Sequence, residues 1–372
     1  MAERTDQALP PWANAVLLPL LNLLAAFVVS GLVILSMGQS PLEALSHILY
    51  GAFGNGEGVG YTLYYATNFI FTGLAVSVAY RCGLFNIGGE GQALMGGLGL
   101  ALVALTFDGL PGLLLLPMAV LGGAMFGAAW AAIPAWLQAK RGSHIVITTI
   151  MFNFIAFSIV SWFLADTLRA PGSQSPESAD FPEAVWLPKI HELLAGLGIS
   201  IDGSPLNISF LIALLCAAAA WVFIERTRWG YEIRVVGGNP EAARFGGISV
   251  SRNIILAMLI GGAMAGLMGL NELMGQQHRL LGGFTEGYGF VGIAVAFMGR
   301  NQPVGIVLAA VLFGALYQGG FVLSMEMPGI SRDMIVVVQG LVILFAGALE
   351  HLFRPQLVRA FTQLQSREAA VG

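Results

Sequence analysis

Apolar residues along this chain gather into long runs broken by short stretches of charge, proline or glycine. Cutting at those stretches predicts ten helical spans, near residues 17–37, 61–80, 92–107, 112–137, 144–165, 207–225, 253–274, 284–299, 303–323 and 333–350. About 20 apolar residues in a helix cross the hydrocarbon layer of a bilayer. The pattern therefore predicts an all-α integral membrane protein, with residues 1–372 as one membrane-spanning domain. The first run, Leu17 to Met37, follows mixed charges and exceeds the apolar stretch of a secretory signal, so it reads as a retained span.

Composition agrees. Of 372 residues, 56% are hydrophobic and 10% charged, with a mean hydropathy of +0.78, too few charges to coat water-soluble domains. The 49 glycines suit helices that approach closely in lipid. Cys82 and Cys216 fall at the end of one span and inside another, which reads as packing rather than a disulfide framework. A net charge of -4 points to no particular partner, and nothing in the pattern points to nucleic acid.

Charge placement sets an orientation, because short loops rich in Lys and Arg stay in the cytoplasm. Lys140 and Arg141 lie in 138–143, five arginines from Arg226 to Arg252 in 226–252, and Arg354, Arg359 and Arg367 in the tail. The segment 166–206 is acidic and belongs outside the cytoplasm. Alternating through ten spans from these points places Arg81, Arg300 and both termini in the cytoplasm. "VLGGAMFGAAW" (120–130) also echoes "VLAAVLFGALY" (307–317) in spans of opposite direction, which predicts an inverted repeat of spans 2–5 against 7–10.

No motor or catalytic motif is present. A phosphate-binding loop needs Gly-rich sequence followed by Lys and Ser/Thr, but Lys140 and Lys189 are followed by Arg and Ile. "GYGFVG" (287–292) matches a dinucleotide pattern but runs into an apolar segment, so it reads as helix packing or a break in a span. The five histidines are scattered, and "HELLA" (191–195) lacks the second His of a zinc helix. No catalytic residue, metal site or directly bound cofactor is expected.

Two segments stand out. In "CGLFNIGGEGQALMGG" (82–97), Asn86, Glu90 and Gln92 crowd among Gly88, Gly89 and Gly91 at the mouth of a span. Glycines weaken a helix and a mid-membrane charge avoids lipid, so this stretch predicts a broken or re-entrant turn facing protein, water or cargo. A solvated cytoplasmic turn is the plainer alternative. In "VVGGNPEAARFGGI" (235–248), Asn239 suits an N-cap, Pro240 the first helical position and Glu241 the first turn, and Gly246 or Gly247 can end the helix. The result is a two-turn helix, too short to be stable alone, which makes sense if a groove on another protein receives it. An ordinary surface turn is its plainer alternative.

These stretches, with "ITTIMFNFIA" (147–156) and "GYGFVGIAVAFMGRNQPVGIVLAAVLFGAL" (287–316), resemble the permease subunits of bacterial ABC importers of the branched-chain amino acid and simple-sugar class. Within it, the likeness is to nucleoside and sugar permeases that work with lipoprotein receptors. The resemblance covers roughly residues 60 to 350. It implies about ten spans in the bacterial plasma membrane, and a coupling helix that docks in an ATPase: Gly238, Asn239, Pro240, Glu241, Ala242, Ala243, Arg244 and Gly246. It places Asn86, Gly88, Gly89, Glu90, Gln92, Asn153 and Phe290 near the translocation pathway. Phe71, Phe152 and Phe154 are further aromatics that could stack a nucleobase. One departure is "GSHIVITTIM" (142–151), where His144 and Ile145 replace an Asn-Glu pair of many relatives, so cargo preference is expected to differ.

The implied partners are a second permease, a paralogue of this chain, two ATPase domains that hold ATP and Mg, and an extracytoplasmic substrate-binding lipoprotein. The implied mechanism is alternating access in a pore that hydrolyses nothing itself. The rival is an ion-coupled secondary transporter or channel, for which a capped loop helix has no use.

Overall fold

The computed structural model describes residues 10, 13, 17–327, 329–330, 332–345 and 357–359. Both chain ends, expected in the cytoplasm, lie outside the described residues. In chain order the helices are α1 (Leu18–Ser36), α2 (Pro41–Phe53), α3 (Gly56–Arg81), α4 (Gly89–Thr106), α5 (Gly112–Arg141), α6 (Ile145–Ala165), α7 (Ile190–Gly196), α8 (Ser209–Arg226), α9 (Arg228–Gly238), α10 (Pro240–Phe245), α11 (Val250–Gly266), α12 (Tyr288–Met298), α13 (Pro303–Glu326) and α14 (Arg332–Ile343). A π-helical turn, Leu270–Gln277, continues α11. Among the described residues, β-pairing is limited to isolated bridges in 169–281.

Each apolar run falls wholly or partly on a helix. Among the described residues, six helical segments are long and apolar enough to cross a membrane: Gly56–Arg81, Gly112–Arg141, Ile145–Ala165, Ser209–Arg226, Val250–Gln277 and Pro303–Glu326. Leu24–Ser36 and Pro41–Phe53, bent by 118°, have the composition of one broken span or re-entrant loop. The run at 284–299 departs most from its expectation. Its helix α12 has only 11 residues, about 16 Å of rise against a hydrocarbon layer of about 30 Å. The reason is local: Glu286 and Gly287 take positive φ, 43° and 81°, which stops the helix from starting earlier.

The chain forms two compact units, Met1–Gly51 with Gly319–Gly372, and Ala52–Gln318. In the first, Ile34, Ala44, Ile48, Leu323, Met327 and Ile330 make the core. In the second, α3 is the central post. Asn55 caps it, its side-chain oxygen accepting from Gly58 N at 2.6 Å, and its buried polar residues are satisfied locally or across helices: Thr67 and Thr72 donate to carbonyls four residues back, Ser77 to the Asn301 carbonyl.

Around that post α4, α5 and α11 meet along a seam of glycines. A Cβ on Gly96 would overlap Gly266, one on Gly127 the Gly262 carbonyl, and one on Gly266 the Gly123 carbonyl. Close approach of this kind supplies van der Waals contact where lipid offers no hydrophobic drive. Gly266→Val is expected to lower stability by about 1–3 kcal/mol through overpacking, whereas Gly109→Ala, whose Cβ would meet nothing within 4 Å, leaves it unchanged. Thermal unfolding of the purified protein in detergent reads the difference.

Candidate functional site

The site is built where two helices begin. Residues 82–88 leave the end of α3 and run back along the unit until α4 starts at Gly89. Tyr288, first residue of α12, stacks edge-on against Phe69 with ring centroids 5.5 Å apart. Phe69 lies at the midpoint of α3, a helix of 26 residues about 39 Å long, so α12 begins at mid-span. α4 begins beside it, because a Cβ on Gly289 would overlap the Glu90 backbone nitrogen. Only glycine at this position lets the two helix ends touch.

Two N-termini in contact bring together unpaired N–H groups and partial positive charge. Glu90 answers both. It sits in the first turn of α4, and its Oε1 accepts from Thr285 Oγ1 at 2.5 Å and Gly287 N at 3.0 Å. Its Oε2 accepts from Gly289 N at 2.8 Å. Asn153, on α6, serves α4 in the same way: its Oδ1 accepts from Gly91 N at 2.9 Å and its Nδ2 donates to the Ile87 carbonyl. Asn86 and Gln92 exchange two amide hydrogen bonds of 3.1 Å each, and Asn86 Oδ1 also accepts from Gly88 N. Asn86, Gln92 and Asn153 are thus buried and spend their polar groups on the frame of the loop.

The other end of 82–88 is tied to the surface helices. Gly83 has φ +74°, and a Cβ on it would stand 3.3 Å from the Cα of Gly237 near the end of α9, where a Cβ would in turn overlap the Arg81 carbonyl oxygen. Glu225 pairs with both Arg81 and Arg234, joining α8, α3 and α9. Arg81 also donates to the Asn301 carbonyl between α12 and α13. On α9, the Asn253 amide and then the Arg228 guanidinium hold the Glu232 carboxyl below the usual carboxylate range.

From α9 the chain turns at Asn239 into α10, the six residues PEAARF. Asn239 Oδ1 accepts from Glu241 N at 2.9 Å and Ala242 N at 3.0 Å. Of the two candidate terminators it is Gly247 that takes the left-handed conformation, φ +76°, with Gly247 N donating to Arg244 O and Ile248 N to Ala243 O. This pair of bonds closes the helix end. Ala243 is fully buried in a cluster with Val78, Leu84, Ile233 and Val236. Gly238, Asn239, Pro240, Glu241, Ala242, Arg244 and Gly246 are exposed.

Phe245 is 95% exposed. It is held out on a capped helix, and the sequence reading passed over it, although its place beside "PEAAR" was a signal. Glu272 was also overlooked. It lies on the π-helical turn and is buried at the α3 midpoint, with Asn68 Nδ2 donating to its Oε1 at 2.6 Å. Asn271, Asn207 and Ser209 extend the network to α8. A lone Glu inside a run of α11 could have flagged it. Phe71 is buried, Phe152 packs on Trp130, and Phe154 and Phe290 are exposed, Phe290 at the α12 N-terminus.

Residues 58–347 match the family model described as branched-chain amino acid transport system / permease component. This chain belongs to that family. It is 36% identical over 345 residues to the glucose ABC transporter permease protein TsgB13 of Haloferax volcanii, covering 92% of this chain and 90% of that one. It is 36% identical over 335 residues to the guanosine ABC transporter permease protein NupP of Bacillus subtilis, covering 89% and 93%. With the nucleoside ABC transporter permease protein NupB of Lactococcus lactis subsp. cremoris the identity is 34% over 340 residues, covering 89% and 90%. No solved structure matches the chain. The protein is accordingly a multi-pass membrane permease component of an ABC transporter, which displaces the secondary-transporter reading.

In this permease the Glu90 junction is testable on its own. Glu90→Ala leaves the N–H groups of Gly287 and Gly289 without acceptors, at a cost of about 1–3 kcal/mol each where buried, and is expected to lower the melting temperature well below that of Glu90→Gln, which keeps one acceptor. Asn239→Ala removes a cap worth about 1 kcal/mol, so amide exchange in 240–245 is expected to quicken about fivefold while exchange in α3 is unchanged.

Proposed function

We propose that this permease is the pore subunit of an ATP-driven importer of nucleosides or simple sugars, and that α10 is the element through which separate ATPase subunits act on it. The relatives at 34–36% identity are named as guanosine, nucleoside and glucose permeases, which supports that cargo class. ATP and Mg are held by the partner ATPase domains, a paralogous permease completes the pore, and a lipoprotein receptor delivers cargo outside the cell. In this reading the ten apolar runs all act as membrane segments, 226–252 is the cytoplasmic coupling loop and 166–206 is extracytoplasmic. The meeting of α4 and α12, third and eighth of those runs, end to end at mid-span supports an inverted repeat.

The observation that carries the proposal is the continuous path from α10 to the middle of the membrane. α10 is seated by Ala243 on the cluster that includes Leu84, α9 abuts the Gly83 turn without a side chain between them, and the loop from Gly83 ends at Glu90. A push on α10 therefore acts directly on the start of α4. Asn86, Gly88, Gly89, Gln92 and Asn153 frame the moving part, while Glu90 and Phe290 edge the pathway. Alternating access follows if partner closure on ATP binding shifts this frame between two packings.

Phe245→Ala and Glu241→Lys are each expected to cut ATP-dependent uptake of guanosine or glucose into proteoliposomes bearing the full importer by about tenfold or more, the loss expected when a docking hot spot of about 2 kcal/mol is removed. The permease should still assemble and melt normally. Uptake sustained by a sodium or proton gradient without ATP would refute the reading.

A further inference from the structure

Glu90, Glu272 and Glu286 all reach the level of the α3 midpoint. Glu272 is buried against Asn68 and Tyr64, and Glu90 is half-buried with both oxygens occupied. Glu286 differs. It is exposed, its backbone is held at φ 43°, and its carboxylate accepts a long 3.4 Å hydrogen bond from the Tyr288 hydroxyl. Its depth is fixed by its neighbours: Thr285 and Gly287 both donate to Glu90, and Tyr288 packs on Phe69. An exposed carboxylate at this depth is incompatible with lipid, since a carboxylate at the membrane centre costs about 2.5–3.5 kcal/mol even on insertion scales.

We infer that the face of the α12 N-terminus bearing Glu286 and Phe290 lines the aqueous pathway, and that Glu286 accepts hydrogen bonds from hydroxyl or N–H donors of a neutral cargo while Phe290 offers its ring. Phe290, in the first turn of α12, is 47% exposed, so one short stretch presents both an exposed carboxylate acceptor and a flat apolar surface. A polyhydroxylated ring fits that pair, because its hydroxyls donate to the carboxylate and its C–H face covers the aromatic. A phosphorylated cargo does not, since its anion would meet Glu286 with Glu90 behind it. This deepens the importer reading above and rests on it for the direction of transport.

The test uses the assembled importer in proteoliposomes, with Cys82→Ser and Cys216→Ser as background and Glu286→Cys as the probe position. The membrane-impermeant reagent methanethiosulfonate ethylsulfonate is expected to modify E286C and to leave L215C, on an exposed apolar face of α8, unmodified. Saturating guanosine or glucose with the receptor is expected to slow labelling of E286C by about threefold or more, as burial under cargo requires. Glu286→Leu is expected to reduce uptake by about tenfold, the worth of a hydrogen bond to a charged group, with partial rescue in Glu286→Gln. Labelling of E286C only by lipid-soluble N-ethylmaleimide, or labelling that cargo does not slow, would overturn the inference. The importer reading fails separately, through loss of ATP-dependent uptake in the unmutated complex.

Discussion

The structure turns on one carboxylate. Two helices begin at the same point in the middle of the membrane-spanning unit, and each brings unpaired N–H groups to that point. Glu90 belongs to one helix and caps the other, with three hydrogen bonds of 2.5, 3.0 and 2.8 Å. Without an anion there, the ends of α4 and α12 would repel as partial positive charges and leave donors unmet. The glycines around it follow from this: Gly89 and Gly289 permit the contact that makes a single carboxylate sufficient, while Gly91 lets Asn153 of α6 approach α4.

A junction made this way is stiff within each helix and narrow between them, so it is a natural place for two halves of a protein to change their relation. The loop that feeds α4 reports directly to α9 through Gly83 and Gly237, and the ion pairs of Glu225 with Arg81 and Arg234 keep α3, α8 and α9 together beneath it. The seam of small residues among α4, α5 and α11 packs backbone against backbone. Interior polar groups at Asn68, Asn271 and Glu272 are meanwhile satisfied among themselves.

Much of this was legible in the chain. Helices as long apolar runs, the loop at 82–88 and the capped PEAARF helix were readable because each rests on local chemistry: apolar content, glycine's freedom, proline's fixed φ and the asparagine cap. What was not legible depended on distant partners. Nothing in "NIGGEGQ" says that Asn86 and Gln92 pair with each other, or that Glu90 caps residues near 287. The short α12 was read as a full span because apolar content does not reveal positive φ at Glu286. Phe245 and Glu272 were hidden by opposite errors, one an aromatic taken for an ordinary helix residue and the other a carboxylate lost inside a hydrophobic run.

The central claim is that force applied at α10 reaches the Glu90 junction. The most direct measurement is a cryo-electron microscopy structure of the assembled importer in nucleotide-free and ATP-analogue-bound states. The account requires α10 to lie in a cleft of an ATPase subunit in both, and Gly83 and Gly237 to stay in contact while the angle between α4 and α12 changes. An α10 free in solvent, or a junction that keeps one geometry while α10 moves, would contradict it.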